Sequence, residues 1–254
     1  MAIEIKNASF EYISGNPVFR EVTCSLAQGE ILSVIGPNGC GKTTLLQCIL
    51  GILELSRGAI VISAGQRIGY VPQEHHAPFP YTVKEMVVMG RAHRIGLFSV
   101  PKKEDEDAAM RWLEALSITR LAEKPYTEIS GGEKQLVRIA RALASGGAVL
   151  LLDEPAASLD FKNQQLILEV LRKLSHEKTR AIIMTTHHPQ HALSVSDKVL
   201  LMSSGIHPPI YGNTADVLTE ENVKRIYGVD AKIISLAHEH GAIKGVIPIS
   251  HLKN

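Results

Sequence analysis

Apolar and polar positions alternate from the start of the chain: AIEIKNASFEY has the two-residue period of a strand with one buried face. A turn at SGNP follows, and the strand pattern resumes through VFREVTCSLAQGEILSVIG. Its last part, ILSVI, is nearly continuous in apolar character, as a strand buried on both faces should be. After Pro78 the period becomes helical, in TVKEMVVMGRAHRIG, KKEDEDAAMRWLEALS and GGEKQLVRIARALAS. Two more buried-strand runs, AVLLLDEP and RAIIMTTHH, flank the helical QQLILEVLRKLSHE. Beyond Thr219 the pattern predicts a short helix and then strands at DAKIISL and GAIKGVIPI. The whole reads as α/β, a parallel β/α core interrupted by a mostly helical insertion.

Composition narrows the partners. A net charge of +1 over 254 residues provides no basic field to hold nucleic acid by counterion release. No apolar run approaches the roughly 20 residues that cross a bilayer, and MAIEIKNASF lacks a signal-peptide core. The expectation is a cytosolic chain, unless a partner holds it at a membrane. Cys24, Cys40 and Cys48 show no CxxC spacing and read as reduced thiols.

Chemistry enters at Gly36-Pro37-Asn38-Gly39-Cys40-Gly41-Lys42-Thr43, which fits GxxxxGK[ST] between a buried strand and a helix. Glycines allow the backbone to wrap phosphates with its N–H groups, and the helix N-terminus adds a positive dipole end. Lys42 is expected to reach the β- and γ-phosphates of ATP, and the Thr43 hydroxyl to ligate Mg²⁺. Asp153, closing the strand VLLL, is placed to meet that same metal. Glu154 follows directly, where a carboxylate can polarise the water that attacks the γ-phosphate. These pieces predict a P-loop ATPase.

Between the two phosphate motifs lies ISGGEKQ. Ser-Gly-Gly at a helix start is a second anion site, for which a protein with one nucleotide cradle has no obvious use. With the other motifs, Ser130, Gly131, Gly132 and Glu133 resemble the signature of the ATP-binding subunit of ABC transporters, usually LSGGQ. Tyr12 resembles the aromatic that stacks on adenine, and Thr44 extends the nucleotide loop. Gln73 resembles the catalytic glutamine at the entry to the helical lobe, which also ligates Mg²⁺. Ser158–Asp160 resembles the D-loop, and His187 the switch histidine. Ile129 for Leu, Glu133 for Gln and ASLD for SALD are departures; the first is conservative, and Glu133 keeps side-chain length while adding charge near a polyphosphate.

The resemblance implies a P-loop core with an N-terminal antiparallel β subdomain and an inserted helical subdomain. Residues 1–254 form a single ABC ATPase domain, with the catalytic core at 1–77 and 146–225. The helical subdomain is then 78–145 and the C-terminal extension 226–254. It further implies a head-to-tail homodimer in which one copy's signature closes over ATP in the other's cradle. Two membrane permease subunits and, indirectly, a substrate-binding protein complete the expected assembly, peripheral at the cytoplasmic face of the membrane.

TTHHPQH, residues 185–191, concentrates histidines. His187 falls at the carboxyl end of the strand, where open α/β sheets place ligand groups. His188 precedes Pro189, so a strand-to-helix break separates His187 from His191 and removes the shared face a metal pair requires. His191 is then expected to be a solvated helix residue. His75 and His76 divide evenly between a membrane-partner contact and plain exposure. Cys40, beside Lys42 at a helix N-terminus, is expected to have a lowered thiol pKa and high reactivity.

TVKEMVVMGR, GGEKQLVRIARALA and the tail from NVKRIYGVDAKIIS to GVIPI resemble the subunits of metal-chelate importers: iron–siderophore, haem, cobalamin or molybdate. The short connection between GAIVIS and IGYVPQ instead resembles molybdate, zinc and manganese importer subunits, so the cargo stays open. A chromosome or repair ATPase would carry a long coiled-coil insertion and a basic surface. A non-hydrolysing regulatory module would lack Glu154 or His187.

Overall fold

A computed structural model of the chain describes residues 1–63, 67–73, 80–95, 99–157, 159–177, 179–203, 207–238 and 241–249. The alternating N-terminus forms antiparallel strands β1 (Ile3–Ile13) and β2 (Asn16–Leu26), and the buried run after them is β3 (Ile31–Ile35). Helix α1 (Lys42–Ile49) follows, and β4 (Arg57–Ile62) returns to pair antiparallel with β1, giving the order β2-β1-β4. The alternation in β1 changes phase, because Ile3 and Ile5 are buried and then Ala8 and Phe10. Asn7 is the cause: its φ of 48° makes a bulge that re-aims the strand. Gly58 lies against it, where a Cβ would come within 2.4 Å of the Asn7 carbonyl oxygen.

The main sheet adds β5 (Ile68–Val71), β6 (Val149–Leu152), β7 (Ala181–Thr186), β8 (Lys198–Leu201) and β9 (Ile210–Asn213). Its order is β5-β6-β7-β3-β8-β9, with only the β8–β9 pairing antiparallel. The carboxyl ends of β3, β6 and β7 therefore open at the same sheet edge, with β7 between the other two. Neither β8 nor β9 stands out in the sequence pattern, since four residues are too few to show a period.

Between β5 and β6 the chain forms α2 (Val83–Val88), α3 (Lys103–Ala115) and α4 (Gly131–Ala144). Val83, Met86, Leu113, Leu136 and Ile139 from these helices share one core with Leu168 and Leu171 of α5 (Phe161–His176) and with Leu152 and Met184 of the sheet. Truncating any of these fully buried aliphatic chains would cost about 2–5 kcal/mol. The opposite sheet face packs on α1 and the β1–β2 layer. The short helices α6 (Pro189–Val195), α7 (Thr214–Val217) and α8 (Glu220–Tyr227) close a third cluster around Ile35 and Leu201. The chain ends in an antiparallel hairpin, β10 (Ala231–His238) and β11 (Gly241–Pro248).

Candidate functional site

The Gly-rich loop runs from the end of β3 into α1. Gly36 is fixed by contact: a Cβ there would meet the Met202 carbonyl oxygen at 2.3 Å and Cys40 Sγ at 2.6 Å. Gly39 and Gly41 take left-handed φ values of 80° and 96°, which side-chain-bearing residues rarely adopt. Gly41 is the N-cap of α1 and supplies no side-chain bond, so the helix start keeps its N–H groups for an external acceptor. Asn38, Gly39 and Thr43 are exposed, while Lys42 is buried. Its Nζ donates to the carbonyls of Gly36 (2.9 Å) and Pro37 (3.1 Å), and lies 3.6 Å from Glu154 Oε1.

Two further strand ends complete the cluster. The buried Asp153 accepts a hydrogen bond from Thr185 Oγ1 at 2.6 Å, and that same hydroxyl oxygen accepts from the Glu154 N–H at 2.8 Å. Thr185 thus fixes both acidic residues. It was missed in the sequence, although a threonine next to the end of an apolar strand is a readable signal. Glu154 has φ 48°, a left-handed conformation that costs a non-glycine residue on the order of 1 kcal/mol or more. This turn brings its Oε2 to 3.1 Å from His187 Nδ1. Lys42, Glu154 and His187 therefore meet, as their motifs anticipate.

His191 corrects the expectation of a solvated residue. It is only 7% exposed, and its Nδ1 lies 3.3 Å from Thr186 Oγ1, which accepts from the His188 N–H at 3.1 Å. Burial, helped by His188 and His187, pushes its pKa down to about 4. α6 is short enough that its inward face begins with this residue. The histidine rings form a file, with centroids 4.0 Å apart from His187 to His188 and 5.0 Å from His188 to His191.

Cys40 also departs from expectation. Its thiol is completely buried against Gly36, and that burial raises its pKa, outweighing the lowering by Lys42. Burial likewise pushes Cys24 up to about 12 and Cys48 up to about 11. On the same side, Tyr227 of α8 has a buried hydroxyl with no hydrogen-bond partner among the described residues. Burial raises its pKa, with Cys40 and Glu154 adding to the effect.

The remaining sequence candidates are more dispersed. Tyr12 is 63% exposed, sits edge-on to Phe10, and brings its hydroxyl to 3.4 Å from Thr44 Oγ1 beside the cradle. Gln73 is exposed after β5, its carbonyl accepting from Arg138 Nη1 at 3.3 Å. Ser130 is the N-cap of α4 in a reciprocal capping box with Glu133, whose other oxygen takes Arg120 at 2.7 Å. The Ser130 N–H and then Arg120 hold the Glu133 carboxyl below its usual range. Gly132 faces α5, where a Cβ would come within 2.4 Å of the Asn163 side chain. Asp160 caps α5 by accepting from the Asn163 N–H at 2.8 Å. The contacts of Ser130–Glu133 thus lie with their own lobe and α5. His75, His76 and Ser158 lie outside the described residues.

Residues 19–157 match the profile of the family described as ABC transporter, and this match spans more than half of the chain. The chain belongs to the ABC transporter family. It is an ATP-binding, ATP-hydrolysing member. The ABC relatives include the molybdate import ATP-binding protein MolC of Haemophilus influenzae, 39% identical over 226 residues, 89% of this chain and 88% of its own length. The manganese transport system ATP-binding protein MntB of Bacillus subtilis is 33% identical over 234 residues, covering 89% and 92%. A metal-chelate type ABC transporter solved in an inward-facing conformation superposes with a TM-score of 0.92 at 35% identity, covering 98% of this chain and 97% of that one. No helix among the described residues is long and apolar enough to cross a membrane.

Proposed function

We propose that this ABC ATPase energises an importer for a metal chelate or for molybdate or tungstate, acting as a peripheral subunit at the cytoplasmic face of the membrane. The observation that carries the mechanism is the convergence of Lys42, Glu154 and His187 at the strand ends. The loop amides and the α1 N-terminus take the phosphates of ATP, and Lys42 exchanges the carbonyls of Gly36 and Pro37 for phosphate oxygens. Glu154 accepts the proton of the attacking water as its oxygen bonds to the γ-phosphorus and the bond to the β-phosphate oxygen breaks, releasing ADP. His187, held by Glu154 through Nδ1, has Nε2 to meet the transferring phosphoryl group.

Thr43, Asp153 and Gln73 offer a hydroxyl, a carboxylate and an amide oxygen, a hard donor set that suits Mg²⁺. When bound, the metal neutralises charge developing on the phosphates. Tyr12 supplies the adenine platform. Ser130, Gly131, Gly132 and Glu133 act on ATP held by a second copy, with Asp160 at the join. The working unit is a head-to-tail homodimer on two permease subunits, served by a substrate-binding protein.

The molybdate reading is supported by the likeness to MolC and the chelate reading by the solved transporter. A manganese or zinc cargo is the second reading, favoured by the likeness to MntB. The test is reconstitution in proteoliposomes with the permease and binding protein of the same gene cluster. Molybdate-loaded or chelate-loaded binding protein should raise ATP turnover and drive uptake. Stimulation by manganese-loaded or zinc-loaded protein alone would transfer the assignment to the second reading.

A further inference from the structure

The free edge of the terminal hairpin ends on the helix that follows His187. β11 pairs with β10 along one edge, with Lys244 opposite Ser235 and Val246 opposite Ile233. On its other edge the Val246 N–H donates to Gln190 Oε1 at 3.0 Å, and Gln190 Nε2 donates to the Lys244 carbonyl at 3.1 Å. In a strand, the carbonyl of one residue and the N–H two residues on face the same side. A primary carboxamide offers one donor and one acceptor in one plane, so Gln190 satisfies both as a neighbouring strand would.

Gln190 is three residues beyond His187 and directly follows Pro189, which fixes the first turn of α6. The hairpin is anchored a second time on α8, where Glu220 accepts from the Ile233 N–H at 3.2 Å and from Lys232 at 2.7 Å. Ile226 of α8 in turn shares one buried cluster with Ala192 of α6 and with Ile35 at the foot of the phosphate loop.

We infer that Gln190 is a positioning residue for ATP hydrolysis: the C-terminal hairpin grips it and thereby holds the Pro189 turn, and with it His187, against Glu154. The inference rests on the role of His187 proposed above. A shift of an ångström in a reacting group can cost up to 10²-fold in rate, so releasing one clamp of the turn should cost less than deleting His187 itself.

The test is steady-state hydrolysis by the full chain assembled with its permease, comparing Gln190→Ala, Gln190→Glu, His187→Ala and the His187→Ala/Gln190→Ala double variant. Gln190→Ala should lower kcat about 5- to 20-fold and leave the KM for ATP within about twofold, the pattern of an interaction made in the transition state. Gln190→Glu keeps the acceptor for Val246 but sets a carboxylate oxygen against the Lys244 carbonyl, and should show the same split should the alanine variant fold poorly. On the His187→Ala background the Gln190 substitution should cause no further loss, since the two act as one unit. Turnover within twofold of the parent in both Gln190 variants overturns the inference. So does an equal loss with His187 already gone, which would mark Gln190 as a sheet-edge cap alone. Parent-like turnover of His187→Ala removes the role of His187, and the inference with it, separately from any Gln190 result.

Discussion

The two helix N-termini proposed above to meet phosphate are built differently. α1 begins at Gly41, left-handed, without a side-chain cap and without an acidic residue in its first turn. α4 begins at Ser130, whose hydroxyl and N–H are both engaged by Glu133 in the same turn. The first terminus leaves its donors open, and Lys42 rests on backbone carbonyls that a phosphate can replace. The second has its own internal anion, neutralised in turn by Arg120. An N-terminus left uncapped keeps all of its donors free for a nucleotide within one chain. One that meets a nucleotide only when a second copy arrives can stay capped until then, and the cap keeps the free helix intact.

The largest effect should come from the cradle. Glu154→Gln keeps the size of the side chain and removes its basicity. Hydrolysis should fall roughly 10²- to 10⁴-fold while ATP still binds. The stalled, ATP-bound dimer should then run as a larger species in size-exclusion chromatography. Near-parent turnover would take the general-base role from Glu154 and leave the open terminus of α1 as a binding device only.

Glycine substitutions separate the two termini directly. Gly41→Ala places a Cβ 2.7 Å from Val18 Cγ1 in a left-handed conformation that costs about 1–2 kcal/mol, so ATP affinity of the single chain should drop about tenfold. Gly132→Ala displaces the Asn163 side chain and should leave that affinity unchanged while lowering turnover that requires two copies. Titration with a fluorescent ATP analogue distinguishes them. Equal loss of affinity in both would erase the division of labour.

Acid should act on the cradle side before the signature side. The folded pKa of His191, about 4, lies below its ordinary value of 6.5, so the unfolded chain binds the extra proton. Its stabilising effect is complete above about pH 6.5 and fades as pH falls toward about 4, a loss of about 2 kcal/mol by pH 5. The Glu133 carboxyl is shifted below its ordinary 4.5, so its contribution is lost only as pH falls through the carboxylate range. Urea unfolding at pH 7 and pH 5 should therefore show a drop that His191→Asn flattens and Glu133→Gln does not. An unchanged slope in His191→Asn would place the titrating group elsewhere.

Much of this site was legible because a phosphate cradle is local. Residues 36–43 are one contiguous stretch from loop into α1, and Asp153 and His187 each directly follow a strand with a plain apolar run. What was not legible depends on which way a side chain turns. The Cys40 thiol faces Gly36 rather than the open loop, and nothing in GPNGCGKT says so. All three thiols should consequently alkylate slowly in the folded chain, Cys40 among them. His191 lies inward on a helix too short to display a period, and β8 and β9 are shorter still. The bulge at Asn7 rests on a non-glycine residue in a left-handed conformation. The contacts of Gln190 lie 54 and 56 residues away along the chain, beyond any local pattern.

The smallest effect should come from the charge at α4, and its sign is informative. Glu133→Gln keeps a side chain that can complete the capping box, since an amide oxygen still accepts the Ser130 N–H. It gives up an exposed ion pair with Arg120, worth about 0–1 kcal/mol, so thermal stability should hardly move. It also removes a carboxylate from the helix start where a partner's phosphate would be received. An anion there competes for the same dipole end, so ATP-dependent dimerisation should strengthen about two- to fivefold, and more at low salt than at high. Arg120→Ala should do the reverse by leaving Glu133 without its counter-charge. Analytical ultracentrifugation at two salt concentrations with the hydrolysis-deficient Glu154→Gln chain measures both. If Glu133→Gln weakens the dimer instead, the carboxylate and Arg120 are themselves part of the contact between copies, and the cap at α4 would be a binding element and not merely a guard over one.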